Sequence, residues 1–166
     1  MTPRATPRIV WSLRGRLGRH AQDLGPLGAE LLGRLARRAG LDRRHELSLV
    51  LCDGPTIRRL NRRWRGHDQP TDVLSFPLHP GDPRRSGATG AVGDIVVALP
   101  VARAAARAEG IDPGRHLARL LAHGLLHLLG YEHDTPARRR SMAAAEDDLL
   151  RDEGVEGLIR RSARMP

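Results

Sequence analysis

Only four aromatic side chains, Trp11, Trp64, Phe76 and Tyr131, occur in 166 residues. Any interior this chain builds must therefore come from Leu, Val, Ile and Ala. A chain of this size buries about 70% of the surface its unfolded form exposes, enough for a core of one domain. No apolar run approaches the ~20 residues that span a bilayer. Cys52 stands alone, which excludes an internal disulfide and a cysteine-based zinc cluster.

The net charge is +9, and all 28 basic residues are Arg. Residues 1–68 hold 15 Arg against 6 acidic residues, whereas residues 69–166 hold 13 of each, so the whole excess lies in the first part of the chain. One face meeting a polyanion produces such a distribution. A solvated arginine-rich surface produces it equally well.

Residues 1–20 are basic and lack the 7–15-residue apolar stretch of a secretory leader. Their Arg-rich composition fits a transit peptide too, but Arg8-Ile9-Val10-Trp11 reads as a first strand and so as part of the fold. Leu27, Leu31, Leu32 and Leu35 recur at helical spacing over residues 27–39, with Gly40 as a stop. Further strands are predicted at 47–51, 73–76 and 92–99, and further helices near 55–64, 101–109, 115–129 and 136–153. Residues 79–90, rich in Pro, Gly, Asp and Arg, read as an exposed loop. The expectation is one α/β (α+β) domain over residues 1–166, with a mixed sheet of about four strands and about five helices.

One segment carries chemistry. In His123-Gly-Leu-Leu-His127-Leu-Leu-Gly130-Tyr-Glu-His133 the first two histidines lie four apart, one above the other on a helix face. Gly130 can take the left-handed conformation that ends a helix and turns His133 back toward them. Three imidazoles leave one tetrahedral position open, the arrangement of a catalytic zinc. The spacing is that of the metzincin peptidases, except that Gly124 stands where those enzymes carry a general-base Glu. His116 shares the helix face but lies about 10 Å further along the axis, too far to join the same metal. His20, His45, His67 and His79 are not assigned to the site, and Met142 reads as packing.

A second stretch runs from Asn61 to Pro77. On its helix Ile57, Leu60 and Trp64 share a face, while Arg58, Arg59, Arg62 and Arg63 point outward to track phosphates. Arg65 stands at the helix end, where a guanidinium can reach a phosphate with forked hydrogen bonds. An ion pair with Asp68 or Asp72 is the alternative for Arg65.

With the Asn61–Pro77 block, Gly93-Asp94-Ile95-Val96 and the His123–His133 motif in this order, the chain resembles the YbeY family of bacterial endoribonucleases over roughly residues 45–135. The resemblance implies a zinc-dependent, single-strand-specific endoribonuclease with a zincin-like histidine helix. It would act in 16S rRNA 3′-end maturation and ribosome quality control, in the cytoplasm and away from membranes. The family's ligands for one zinc fall on His123, His127 and His133, and its functional arginine falls on Arg65, the candidate for stabilising charge on the phosphate. Glu132 replaces the family's usual Asp, and Trp64 its usual Tyr or Phe.

The resemblance also implies partners: the 16S rRNA precursor, the ribosome, and a ribosomal protein or GTPase that supplies specificity. Glu132 and Asp134 flank His133 as candidates to orient a ligand, with helix capping the other role for Asp134. With so few aromatics, base stacking cannot dominate RNA recognition. Two other readings stand beside the nuclease: a non-catalytic ribosome-assembly factor with a structural zinc, and a zincin-type metallopeptidase.

Overall fold

The computed structural model describes residues 5–163, so the ends of the expected 1–166 unit lie outside the described residues. In chain order the elements are β1 (Arg8–Arg14), α1 (His20–Arg38), β2 (His45–Cys52), α2 (Gly54–Arg65), β3 (Val73–Pro77), α3 (Pro83–Ser86), β4 (Gly90–Ala98), α4 (Leu99–Glu109), α5 (Pro113–Leu128), α6 (Pro136–Leu150) and α7 (Glu153–Ala163). The sheet order is β1-β2-β4-β3. β1, β2 and β4 are parallel, and β3 runs antiparallel to β4 at the edge. The α/β class and the four-stranded mixed sheet are as the sequence predicts.

Strand alternation sends Leu47, Leu49 and Leu51, with Ile95 and Val97, to one face, where they are wholly buried. This face forms the main core with α1, α5 and α7. The opposite face presents Cys52, Leu74, Val96 and Ala98 to Ile57 of α2, with Leu60 and Phe76 packed around them. The histidine-bearing α5 and the arginine-bearing α2 therefore lie on opposite sides of the sheet.

The helices depart most from the sequence reading in three places, and seven helices stand among the described residues where about five were expected. α1 begins at His20 and carries Pro26 inside it. Burial of Ala21 and Leu24 in the core outweighs the backbone hydrogen bond that a proline removes. A short helix, α3, lies within the expected loop, with the Asp82 carboxylate accepting from the Arg84 amide. The expected last helix is two helices. Asp152 Oδ1 accepts from the amides of Gly154 at 3.0 Å and Val155 at 3.1 Å, so it caps a new helix rather than continuing the old one.

Gly124 sets how closely α5 lies on the sheet. A Cβ there would come 3.0 Å from both Ile95 Cγ2 and Ser75 Oγ. The missing side chain lets the helix backbone rest directly over β3 and β4, which holds His123 near the sheet's edge.

Candidate metal centre

α5 is opened by Asp112, whose carboxylate accepts from the Arg115 amide at 3.0 Å, with Pro113 at its first position. Its apolar residues, among them Leu121 and Leu125, are buried, and this fixes its rotation about its axis. His123 and His127 are thereby left half-buried on the side away from the core. The helix stops at Gly130, with φ +85°, where a side chain would be strained. The Gly130 amide bonds to the His127 carbonyl at 3.1 Å and the Tyr131 amide to the Leu126 carbonyl at 3.0 Å, turning the chain back over the last turn. His133 is the result of that reversal.

The three imidazoles converge. One nitrogen from each of His123, His127 and His133 lies within 4.8 Å of the others. The Nε2 atoms of His123 and His127 are 3.1 Å apart, close to the ~3.3 Å edge of a tetrahedron with ~2.0 Å zinc–nitrogen bonds. Burial, followed by the neighbouring His123 and His133, lowers the pKa of His127 from its ordinary value, which keeps a lone pair available. The donor set and its spacing fit a divalent metal.

A residue absent from the sequence reading completes the arrangement. His123 Nδ1 lies 2.6 Å from Glu146 Oε1, a half-buried carboxylate on α6. By donating Nδ1–H to Glu146, His123 keeps Nε2 free to face the other imidazoles. Glu132 and Asp134, the acids considered for this role, form no hydrogen bond with the histidines among the described residues. Asp134 pairs with Arg138 at 3.0 Å instead, and Thr135 caps α6 through the Arg138 amide at 3.2 Å. The sequence signal for Glu146 is weak, because it is one of three consecutive acids, Glu146-Asp147-Asp148, and lies 23 residues from its partner on a different helix.

The histidines set aside behave as structural or surface groups. His45 is buried with Nδ1 3.1 Å from an Asp42 oxygen. His116 is buried with Nε2 3.6 Å from Asp72 Oδ2. Met142 is buried in the main core. Beside the triad, a cavity of about 450 Å³ is lined by Arg84, Arg85, Tyr131, Glu132 and Arg138, among others.

Arg65 is not part of the cluster. It is the last residue of α2, followed by Gly66 at φ +73°, and it is exposed. The loop beyond is held by buried Asn61, whose Nδ2 donates to the Gln69 carbonyl at 2.8 Å. Asp68, one alternative partner for Arg65, is bonded instead by Arg58 at 2.9 Å, and Asp72 faces His116. Among the described residues Arg65 has no ion pair.

Comparison with known proteins follows the same residues. The family model described as endoribonuclease YbeY matches residues 20–154. The chain belongs to the endoribonuclease YbeY family. That family comprises hydrolases acting on RNA. The endoribonuclease YbeY of Anaeromyxobacter dehalogenans (strain 2CP-C) is 46% identical over 146 residues, 88% of this chain and 71% of that protein. The Moorella thermoacetica member is 41% identical over 142 residues, 78% of this chain and 91% of that one. The Myxococcus xanthus member is 48% identical over 111 residues, but the match spans only 37% of its length. A solution structure from Thermotoga maritima shares the fold at a TM-score of 0.53 and 23% identity, covering 90% of this chain and 95% of that one.

Proposed function

We propose that this chain is a zinc-dependent, single-strand-specific endoribonuclease that acts in 16S rRNA 3′-end maturation and ribosome quality control in the cytoplasm, working as one domain with one zinc. A ribosomal protein or GTPase would direct it to its site. The observation that carries this reading is the convergence of three imidazole nitrogens within 4.8 Å in a chain of an endoribonuclease family.

His123, His127 and His133 would hold the zinc, which would supply Lewis acidity and lower the pKa of water. The protein's own groups do the rest. Glu146 orients His123 through the Nδ1–H bond. Arg65, exposed and without a carboxylate partner among the described residues, binds non-bridging phosphate oxygens and offsets charge that develops there. The attacking group, a water or a 2′-hydroxyl, is the same problem for Arg65 either way, because both routes place extra negative charge on phosphorus-bound oxygens.

The packing at Gly124 weighs against a peptidase. The position that would need a general-base Glu is a glycine packed on the sheet, where even a Cβ would come 3.0 Å from Ile95 Cγ2 and Ser75 Oγ.

The test is cleavage of a 16S rRNA 3′-end precursor by wild type and His127→Ala, purified in parallel. Cleavage by wild type alone, with the variant folded by circular dichroism, supports the reading. Equal cleavage by both identifies a contaminant and overturns it. An inactive wild type that holds zinc, and unfolds when zinc is removed, supports the assembly-factor alternative.

A further inference from the structure

We propose that Trp64 is a base-stacking platform for single-stranded RNA, placed beside the phosphate-binding Arg65. The inference rests on the endoribonuclease reading and adds to it a recognition element that charge alone does not provide.

Trp64 is 61% exposed, the most exposed of the large hydrophobic side chains among the described residues. The other tryptophan, Trp11, is 37% exposed, and one part of its ring lies against α1, where a Cβ at Gly25 would come 2.3 Å from it. Trp64 is not loose, however. Its ring meets the Phe76 ring edge-on, with centroids 6.1 Å apart and planes at 64°. The Arg63 guanidinium carbon lies 5.3 Å from the Trp64 centroid. Half of the chain's aromatics thus stand together at one place, one of them braced and largely open to solvent.

The surroundings suit a nucleic acid strand. Arg63 and Arg65 flank Trp64 in sequence, are exposed, and form no ion pair among the described residues. A base has a π-face that stacks on indole whatever its identity; the Arg63 guanidinium lies over the same ring, and Arg65, next in sequence, takes a phosphate. A duplex keeps its bases stacked internally and cannot use such a platform, so the arrangement selects single strands.

The platform also lies on a route to the histidines. Phe76 belongs to β3, the edge strand of the sheet. The neighbouring Ser75 points to the opposite face, where its Oγ lies 3.0 Å from the Cβ position of Gly124, the residue after His123. A strand crossing this edge passes from Trp64 and Arg65 toward the metal centre.

The experiment uses the full chain carrying Trp11→Phe, which leaves Trp64 as the only tryptophan. Titration with a 12-nucleotide single-stranded RNA is expected to quench its fluorescence, whereas a strand of the same length lacking bases binds without quenching. In the wild-type background, Trp64→Ala is expected to weaken binding of the single strand about tenfold. Trp64→Phe retains most of that affinity, and Trp64→Ala leaves both duplex affinity and the salt dependence of binding unchanged. Wild type that binds the single strand, with no quenching and no loss in Trp64→Ala, overturns the proposal. Wild type that binds no single-stranded RNA overturns the endoribonuclease reading itself.

Discussion

His123 Nδ1 and Glu146 Oε1 are 2.6 Å apart, and this contact joins the middle of α5 to α6. It gives the first histidine of the motif a fixed orientation before any metal arrives, because the carboxylate accepts the proton on Nδ1 and leaves the Nε2 lone pair facing inward. Met142, one turn earlier on α6, is buried in the main core and anchors the helix that carries the carboxylate.

Glu146→Ala is therefore expected to weaken zinc binding about 10- to 100-fold, measured by competition with a chromogenic chelator. Glu146→Gln, which can still accept at Oε1, falls between the two. The melting temperature of the metal-free protein should change little, since the carboxylate is half-buried and at the surface of α6. Zinc affinity equal to wild type in both variants would remove Glu146 from the site.

Arg65→Ala is expected to lower kcat/KM for RNA cleavage by about 100-fold or more, in the range seen when a single transition-state donor is removed. Zinc content and melting temperature should stay at wild-type values, because Arg65 is exposed and has no ion pair among the described residues. Arg65→Lys should recover only part of the loss, since an ammonium keeps the charge but not the forked geometry. Wild-type kinetics in Arg65→Ala would show that the guanidinium does not act on the phosphate.

At Gly124 a larger side chain meets Ile95 and Ser75. Gly124→Glu is expected to destabilise the protein by about 1–3 kcal/mol through overpacking, with more lost if the carboxylate is buried without a partner. Urea denaturation measures the loss. The variant should not cleave casein even though it restores the metzincin pattern of residues. A stable, proteolytic variant would show that α5 can lift from the sheet.

Asp53 supplies a pH dependence. Its carboxylate accepts from the Thr56 amide at 2.9 Å, capping α2, and from the Arg16 amide at 2.7 Å. The bonds to Thr56 and then Arg16 pull its pKa from 3.8 down to about 2. A folded-state pKa below the unfolded value means that the stabilisation is complete above about pH 4 and is lost as pH falls through about 2. Asp53→Ala should cost about 1–2 kcal/mol at pH 7, and the cost should shrink in denaturation curves taken toward pH 2. A penalty independent of pH would show that the side chain acts by something other than its charge.

Much of this protein is readable locally. The four strands coincide with short apolar segments, of which 47–51 alternates, and Thr135 before Pro136 marks the start of α6. The histidine spacing yields the triad because helix pitch fixes where residues four apart must stand, and because Gly130 can reverse the chain where other residues are strained. Those relations are decided within a dozen residues, so the order of amino acids is sufficient for them.

Relations between distant elements are different. Pro26 inside α1 and the insertion of β4 between β2 and β3 depend on which buried surfaces meet. So do the pairing of Glu146 on α6 with His123 on α5 and the meeting of Trp64 at the end of α2 with Phe76 of β3. Helix and strand periodicity is set by backbone geometry and can be read along the chain. Contacts between elements are set by the packing of a shared core, so only the tertiary structure decides them.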